Sequence, residues 1–451
     1  MPKRFNDAKA TLTLAWPIMI GQLAQTGTAF VDAVMAGHVS AGDLAAVSVG
    51  ASIWTTLIVT LMGLLLAISP LAAAKVGAGK AAELPALTQQ ALYQALITGG
   101  IAMLLAHALL PVFDHLGLTA EVADKAKRFL AAVSWGLPAL AISRVLYGYS
   151  SALNQTKPMM VIALIALALN VPANWILIYG HFGAPALGAV GCGWATALCM
   201  WASALMWWLW IRSATVYRGT HPFDTLRGIH WPTQWQLAKL GIPIGLMFFI
   251  EVSAFSLIAL LIARLGTTAV AAHQVALNFA SLLFMIPMAI GTALTVRVGQ
   301  AVGANDWQQA RLIGQNGVRL GLLVAGVGAA LTMLFGEFIA GWYTQDAAVL
   351  ALATQLLVLA GIFQFSDATQ VVASGVLRGY QSTRLPMLLH MLAFWLVGMP
   401  LGYALTFGFG PISGMGPRGY WIALVVALTC AALSLLVLFG RLSRARLRQH
   451  T

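Results

Sequence analysis

Three acidic residues stand inside apolar runs: Asp32 in GTAFVDAVMAG, Glu251 in GLMFFIEVSAFS and Asp367 in GIFQFSDATQVV. The chain has 13 Asp and Glu in all, and the other ten fall in stretches that read as loops or helix ends. A carboxylate placed centrally in a bilayer costs about 2.5–3.5 kcal/mol on insertion scales, so packing alone seldom accounts for one. An unpartnered carboxyl in apolar surroundings has three ways to lose its charge: bind a proton, recruit Na⁺, or hold a cationic substrate. These ligands compete for the same oxygens, and that competition is the physical basis of antiport. The bland alternative is an ion pair joining two helices, for which the sequence offers Arg144 as the only base within a helix body.

Asp32 has polar company. Gln22, Gln25 and Asp32 fall roughly on one stripe at helical spacing. In ALALNVPANWILI, Asn170 and Asn174 are four residues apart around Pro172, and Thr196 lies in GWATALCMW. Oxygens of Asp, Asn and Thr suit a hard cation, or a proton with hydrogen-bond partners. Ordinary hydrogen bonding between membrane helices would use the same Asn and Thr residues.

The elements that must position these groups follow from composition. Of 451 residues, 60% are hydrophobic and 8% charged, against about 25% charged in soluble domains. Apolar runs long enough to span about 30 Å of hydrocarbon recur along the length. Their approximate cores are 12–36, 46–74, 90–111, 128–150, 159–180 and 188–211, then 238–262, 272–298, 314–335, 348–376, 385–408 and 419–440. This predicts an all-α polytopic membrane protein with twelve transmembrane helices. The net charge of +12 is concentrated in loops of one side, including Lys75, Lys80, Arg212, Arg218, Arg378 and Arg384 and the Arg-rich tail. That bias expects a plasma (inner) membrane location with both termini cytoplasmic, and argues against nucleic acid as a partner. Cys192, Cys199 and Cys430 lie inside apolar spans, with no disulfide or metal spacing. The first apolar segment is too long for a cleaved signal.

The chain repeats itself. A shift of 226 takes Pro17 to Pro243, AAVSV (45–49) to AAHQV (271–275) and KVGAGK (75–80) to AVGAND (301–306). A shift of 228 lays NQTKPM (154–159) over STRLPM (382–387) and Pro172 over Pro400. The expected domains are therefore residues 1–225, six helices and the start of a linker, and 226–451, six more. An even number of spans per half predicts two parallel lobes related by a pseudo-twofold axis along the membrane normal, an arrangement of transporters. The halves share a frame but not their charges, since Glu251 aligns with Gln25 and Asp32 with Ile258. Two separate polar sites, one per half, are expected.

The stretches QLAQTGTAFVDAVMAGHVSAGDLAAVSVGASIW, AVAAHQVALNF (269–279), PIG (243–245) and VLRGYQSTRLPM (376–387) resemble multidrug and toxic compound extrusion (MATE) transporters of the NorM branch, over essentially the whole chain. The resemblance implies efflux of cationic or amphipathic compounds by alternating access, driven by inward Na⁺ or H⁺, with no cofactor. By motif, Glu251 and Asp367 correspond to the cation-site acids of the second lobe, and Asp32, Asn170, Asn174 and Thr196 to the polar cluster of the first. NorM-like relatives can carry Tyr four positions before the tenth-span acid; here that residue is Phe363. Substrate contacts are expected from Asp32, Gln25, Glu251 and Asp367. Phe248, Phe249, Phe255, Phe279, Phe284, Met285 and Met288 are candidate liners, since methionine adapts and aromatic faces attract organic cations. The expected partners are small drugs, the coupling cation and lipid, around a monomer. A lipid-linked oligosaccharide flippase of related architecture is the alternative, but it would favour an Arg-ringed cavity for phosphate. An enzyme is not expected, because the nine histidines are scattered.

Overall fold

The computed structural model describes residues 2–409 and 413–450. Among them the chain is helical, with no β-strand. The first half runs α1 (Pro2–Gly37), α2 (Ala41–Leu65), α3 (Ile68–Gly77), α4 (Leu84–Ala108), α5 (Ala120–Ser134), α6 (Leu137–Ala152), α7 (Lys157–Tyr179) and α8 (Ala189–Ser213). The second runs α9 (Trp231–Ile262), α10 (Thr267–Gly303), α11 (Trp307–Leu334), α12 (Gly336–Tyr343), α13 (Ala347–Gly379), α14 (Arg384–Met391), α15 (Met399–Phe407) and α16 (Pro417–His450).

Ten of these helical stretches are long and apolar enough to cross a membrane, and α5 with α6, bent by 41°, makes an eleventh. The remaining expected span lies in α1, whose Gln22, Gln25, Thr26, Thr28 and Asp32 make it less apolar than its neighbours. The repeat is visible in helix limits. Shifted by 226, Ala41 and Gly77 fall on Thr267 and Gly303, the ends of α10. The expected span at 46–74 is one stretch, Ala41–Gly77, interrupted only by a short turn, and that at 128–150 is bent between α5 and α6, whereas their counterparts α10 and α13 are uninterrupted helices. The breaks fall at Leu66–Ala67 and at Trp135–Gly136, the latter just before Pro138 in the first turn of α6, where proline is tolerated. In the second half the eleventh span is irregular instead: a π-helical turn, Leu392–Gly398, joins α14 to α15.

Packing divides the chain into two units, Pro17–Gly245 and Met1–Trp16 with Leu246–Thr451. The covalent midpoint expected at 225/226 lies in the linker, while the packing boundaries fall within α1 and α9, next to the equivalent prolines Pro17 and Pro243. In the first unit the start of α9 lies on α2: a Cβ at Gly241 would come within 2.2 Å of the Leu64 carbonyl. In the second unit the start of α1 is held on α10, where Arg297 donates to the Asp7 carboxylate, the Asp7 carbonyl and Thr11 Oγ1.

Close helix contacts in both units use small residues, as membrane packing requires. A Cβ at Gly375 of α13 would meet the Gly291 carbonyl of α10 at 2.3 Å. Thr295 Oγ1 bridges the same contact by donating to the Gly291 and Gly375 carbonyls, each at 2.9 Å.

Candidate functional site

In the first unit three helices meet at Asp32, and local features set each in place. Asp43, expected in a loop, is buried at the start of α2 and accepts from Ser40 Oγ, Lys125 Nζ at 3.0 Å and the Ala189 N–H at 2.8 Å. It thereby fixes the first turn of α8. Gly188, with φ of 56°, makes this contact possible, since a Cβ there would lie 2.5 Å from Asp43 Oδ1. Gly191 lets α8 approach α7, because a Cβ would sit 2.3 Å from the Leu177 carbonyl. Tyr179 Oη ties α7 to α1 by donating to the Met35 carbonyl at 3.0 Å.

The result is a closed polar cluster. Asn174 Nδ2 donates to Asp32 Oδ1 and Thr196 Oγ1 to Asp32 Oδ2, both at 2.7 Å. Asn174 Nδ2 also donates to Asn170 Oδ1 at 3.0 Å, and Asn170 Nδ2 reaches Thr196 Oγ1 at 3.5 Å. All four residues are buried. Asn174 Oδ1 has no hydrogen-bond partner, leaving a carbonyl oxygen beside a carboxylate. The cluster borders a cavity of about 270 Å³ that Gln25, Asp32, Thr196, Phe129, Tyr147 and Trp207 help to line. Arg144, the base weighed as an ion-pair partner, also faces this cavity but pairs with no acid among the described residues; its guanidinium lies over the Tyr147 ring at 5.1 Å.

In the second unit Asp367 is buried on α13 and receives Gln370 Nε2 at 3.3 Å. Gln370 Oε1 in turn meets His390 Nε2, and His390 Nδ1 lies 2.9 Å from the Pro386 carbonyl. Glu251 on α9 is half-buried. Its backbone neighbour Ile250 accepts from Trp395 Nε1, in the π-helical turn, at 3.3 Å. Sequence reasoning missed Gln370 and His390. The available signal was Gln370 three residues after Asp367, plus a histidine inside the apolar run LLHMLAF. It also assigned Arg378 to a loop, whereas the residue is buried at the end of α13. Arg144 is therefore not the only base within a helix: Arg297 stands in α10, Arg319 in α11 and Arg378 in α13.

The proposed liners scatter. Phe255 stands edge-on to Phe363, with ring centroids 6.4 Å apart, and Phe255 and Phe279 pack on the apolar core of the second unit. Phe249 is exposed, and Phe248, Phe284, Met285 and Met288 are half-buried. None lines the Asp32 cavity. Among the described residues no group of three or more His, Cys, Asp and Glu is arranged to hold a metal ion. A cation at Asp32 would be met by one carboxylate and neutral oxygens.

The MatE family model matches residues 17–176 and 243–404, one copy in each half. The chain is 43% identical to "Probable multidrug resistance protein NorM" of Chromobacterium violaceum, over 98% of this chain and 96% of that one. It is also 43% identical to "Multidrug resistance protein PmpM" of Pseudomonas aeruginosa, over 98% and 93%. Among solved structures, the MATE transporter NorM-NG, determined in complex with a ligand and a monobody, is 37% identical with a TM-score of 0.83, covering 97% of this chain and 95% of that one.

Proposed function

The chain belongs to the MatE family and is a multi-pass membrane transporter rather than an enzyme, and from this premise we propose that it expels cationic and amphipathic organic compounds in exchange for inward Na⁺ or H⁺. The reading takes it as a monomer of the inner membrane with both termini cytoplasmic. The names of its relatives, multidrug resistance proteins, and the ligand complex of the similar NorM structure support the substrate class. The flippase alternative is not favoured, because the Asp32 cavity is lined by one arginine and not by a ring of them.

The observation that carries the mechanism is the Asp32 cluster. Both carboxylate oxygens are engaged by neutral donors, Asn174 and Thr196, at the edge of a cavity. Neutral donors hold the carboxylate in place without cancelling its charge. A substrate cation entering the cavity completes the neutralisation, and so does Na⁺ or a proton, but not all at once. The unpartnered Asn174 Oδ1 supplies a further oxygen for a bare cation. In the second half, Asp367, buried and met only by the Gln370 amide, and Glu251 on α9 are the acids that would take up a cation. The coupling ion entering from outside displaces the drug outward, then leaves to the cytoplasm. Each inward charge contributes about 2.3 kcal/mol per 100 mV of membrane potential.

The test is ethidium transport by the purified protein in liposomes, with Na⁺ and pH gradients imposed one at a time. Uphill ethidium movement under at least one gradient is expected. Movement that ignores both gradients contradicts exchange.

A further inference from the structure

The segment joining the two repeats is not a slack tether. Gln89 and Gln90, both buried near the start of α4, hold its backbone. Gln89 Nε2 donates to the Pro222 carbonyl at 2.6 Å and to the Thr225 carbonyl, while its Oε1 accepts from the Arg227 N–H at 3.1 Å. Gln90 Nε2 donates to the Gly228 carbonyl and its Oε1 accepts from the His230 N–H, both at 2.8 Å. Tyr93 Oη donates to the Arg227 carbonyl, and Gln234 Nε2 of α9 to the Gln90 carbonyl, each at 2.7 Å. Residues 222–230 are thereby fixed against α4 where it passes from TQQALYQ (88–94) to the apolar run ALITGGIAMLLA (95–106). Such a change from polar to apolar marks the boundary of a bilayer.

What this clamp leaves outside is ill suited to water. Leu226 is 92% exposed beside Arg227, and Trp231 and Trp235, one turn apart on α9, are 74% and 68% exposed. Trp231, Trp235, Lys239 and Ile242 follow one another at helical spacing, and all four are exposed. Tryptophan and lysine at the polar end of an apolar stripe belong at a membrane–water interface. The same stretch exposes Arg212, Arg218, Arg227 and Lys239, and its single acid is Asp224. Exposed leucine and tryptophan call for an apolar partner, and the basic excess calls for an anionic one. An anionic phospholipid offers both in one surface. A second copy of the chain would bring like charges together. We infer that residues 222–239, all within the first unit, form a binding surface for anionic phospholipid. Leu226, Trp231 and Trp235 enter the acyl boundary, and Arg227 and Lys239 meet the headgroup phosphates.

The test reconstitutes the full-length protein in liposomes of phosphatidylcholine with a minor share of phosphatidylglycerol. Either one lipid or the other carries bromine on its acyl chains, which quenches the fluorescence of tryptophan in contact with it. The part owed to Trp231 and Trp235 is the difference between the unaltered protein and the double variant Trp231→Phe, Trp235→Phe. Quenching per brominated molecule is expected to be about fivefold greater for phosphatidylglycerol, the size of one charge at an anionic surface. Arg227→Gln with Lys239→Gln should bring the two lipids close to parity, while quenching by brominated phosphatidylcholine persists and reports a folded, inserted protein. Arg227→Lys should keep the preference. A preference unchanged in Arg227→Gln with Lys239→Gln overturns the inference. Absence of quenching of this tryptophan pair by either brominated lipid also overturns it, and would mean that a second copy or another protein covers the face.

Discussion

The two halves descend from one pattern, yet they handle their acids in opposite ways. Asp32 is enclosed by an amide and a hydroxyl, each 2.7 Å from its own carboxylate oxygen. Asp367 has one long contact, from Gln370 at 3.3 Å, and the second acid of this half, Glu251, stands on another helix, α9. The first half builds its site on α1, α7 and α8, beside a cavity that α2 and the bent pair α5–α6 help to line. The second keeps α10 and α13 continuous and loosens the eleventh span with a π-helical turn. The difference teaches that one duplicated frame supports a single pre-oriented carboxylate on one side and a like-charged pair on the other. In the first, geometry is held by neutral donors. In the second, Asp367 is met by a single amide, from Gln370.

The comparison breaks most sharply at Asp32. Asp32→Asn keeps the shape of the side chain but removes the charge that a drug cation, Na⁺ or a proton would neutralise. Gradient-driven efflux of ethidium should fall by roughly a hundredfold or more, and retention of wild-type rates would make the cluster structural. The second-half pair should behave as a unit. Glu251→Gln and Asp367→Asn are each expected to slow exchange about tenfold, and the double variant to be little worse than either single one, because the partners are coupled. Additive losses in liposome transport would mean the two acids act independently. Thr196→Val removes one donor to Asp32 and should weaken drug binding about five- to tenfold, the upper part of the range of a typical net hydrogen bond. Thr196→Ser should retain wild-type affinity by isothermal titration. The smallest effect concerns the continuous helices. Gly375→Ala forces a methyl against the Gly291 carbonyl and should lower the melting temperature by about 2–4 °C. Gly100→Ala, in open space on α4 of the first half, should leave it unchanged or slightly raised in the same thermal scan.

Much of the first-half site was legible in the sequence because its members are rare polar types at helical spacing. Asn170 and Asn174 share a face by periodicity alone, and Asp32 is conspicuous among apolar neighbours. The second-half surroundings were harder to read. Gln370 and His390 carry no charge pattern, and the contact between them spans two helices. Arg378 looked like a loop base because it stands close to the end of an apolar run, yet α13 continues through Gly379 and buries it. Composition alone did not show what the aromatic side chains touch: the Phe255 ring packs against Phe363 and Phe394.

The sequence by itself determined the membrane setting, the duplication and the presence of three acids in apolar spans, because hydropathy and repeat spacing are properties of the chain read in order. Only the tertiary structure decided which groups surround each acid, that Arg144 faces Asp32's cavity unpaired, and that α1 and α9 are each divided between units beside Pro17 and Pro243. Those outcomes depend on which helices approach closely enough to touch. Glycines such as Gly191 and Gly375 set that approach at contacts between helices distant along the chain, and no local pattern records them.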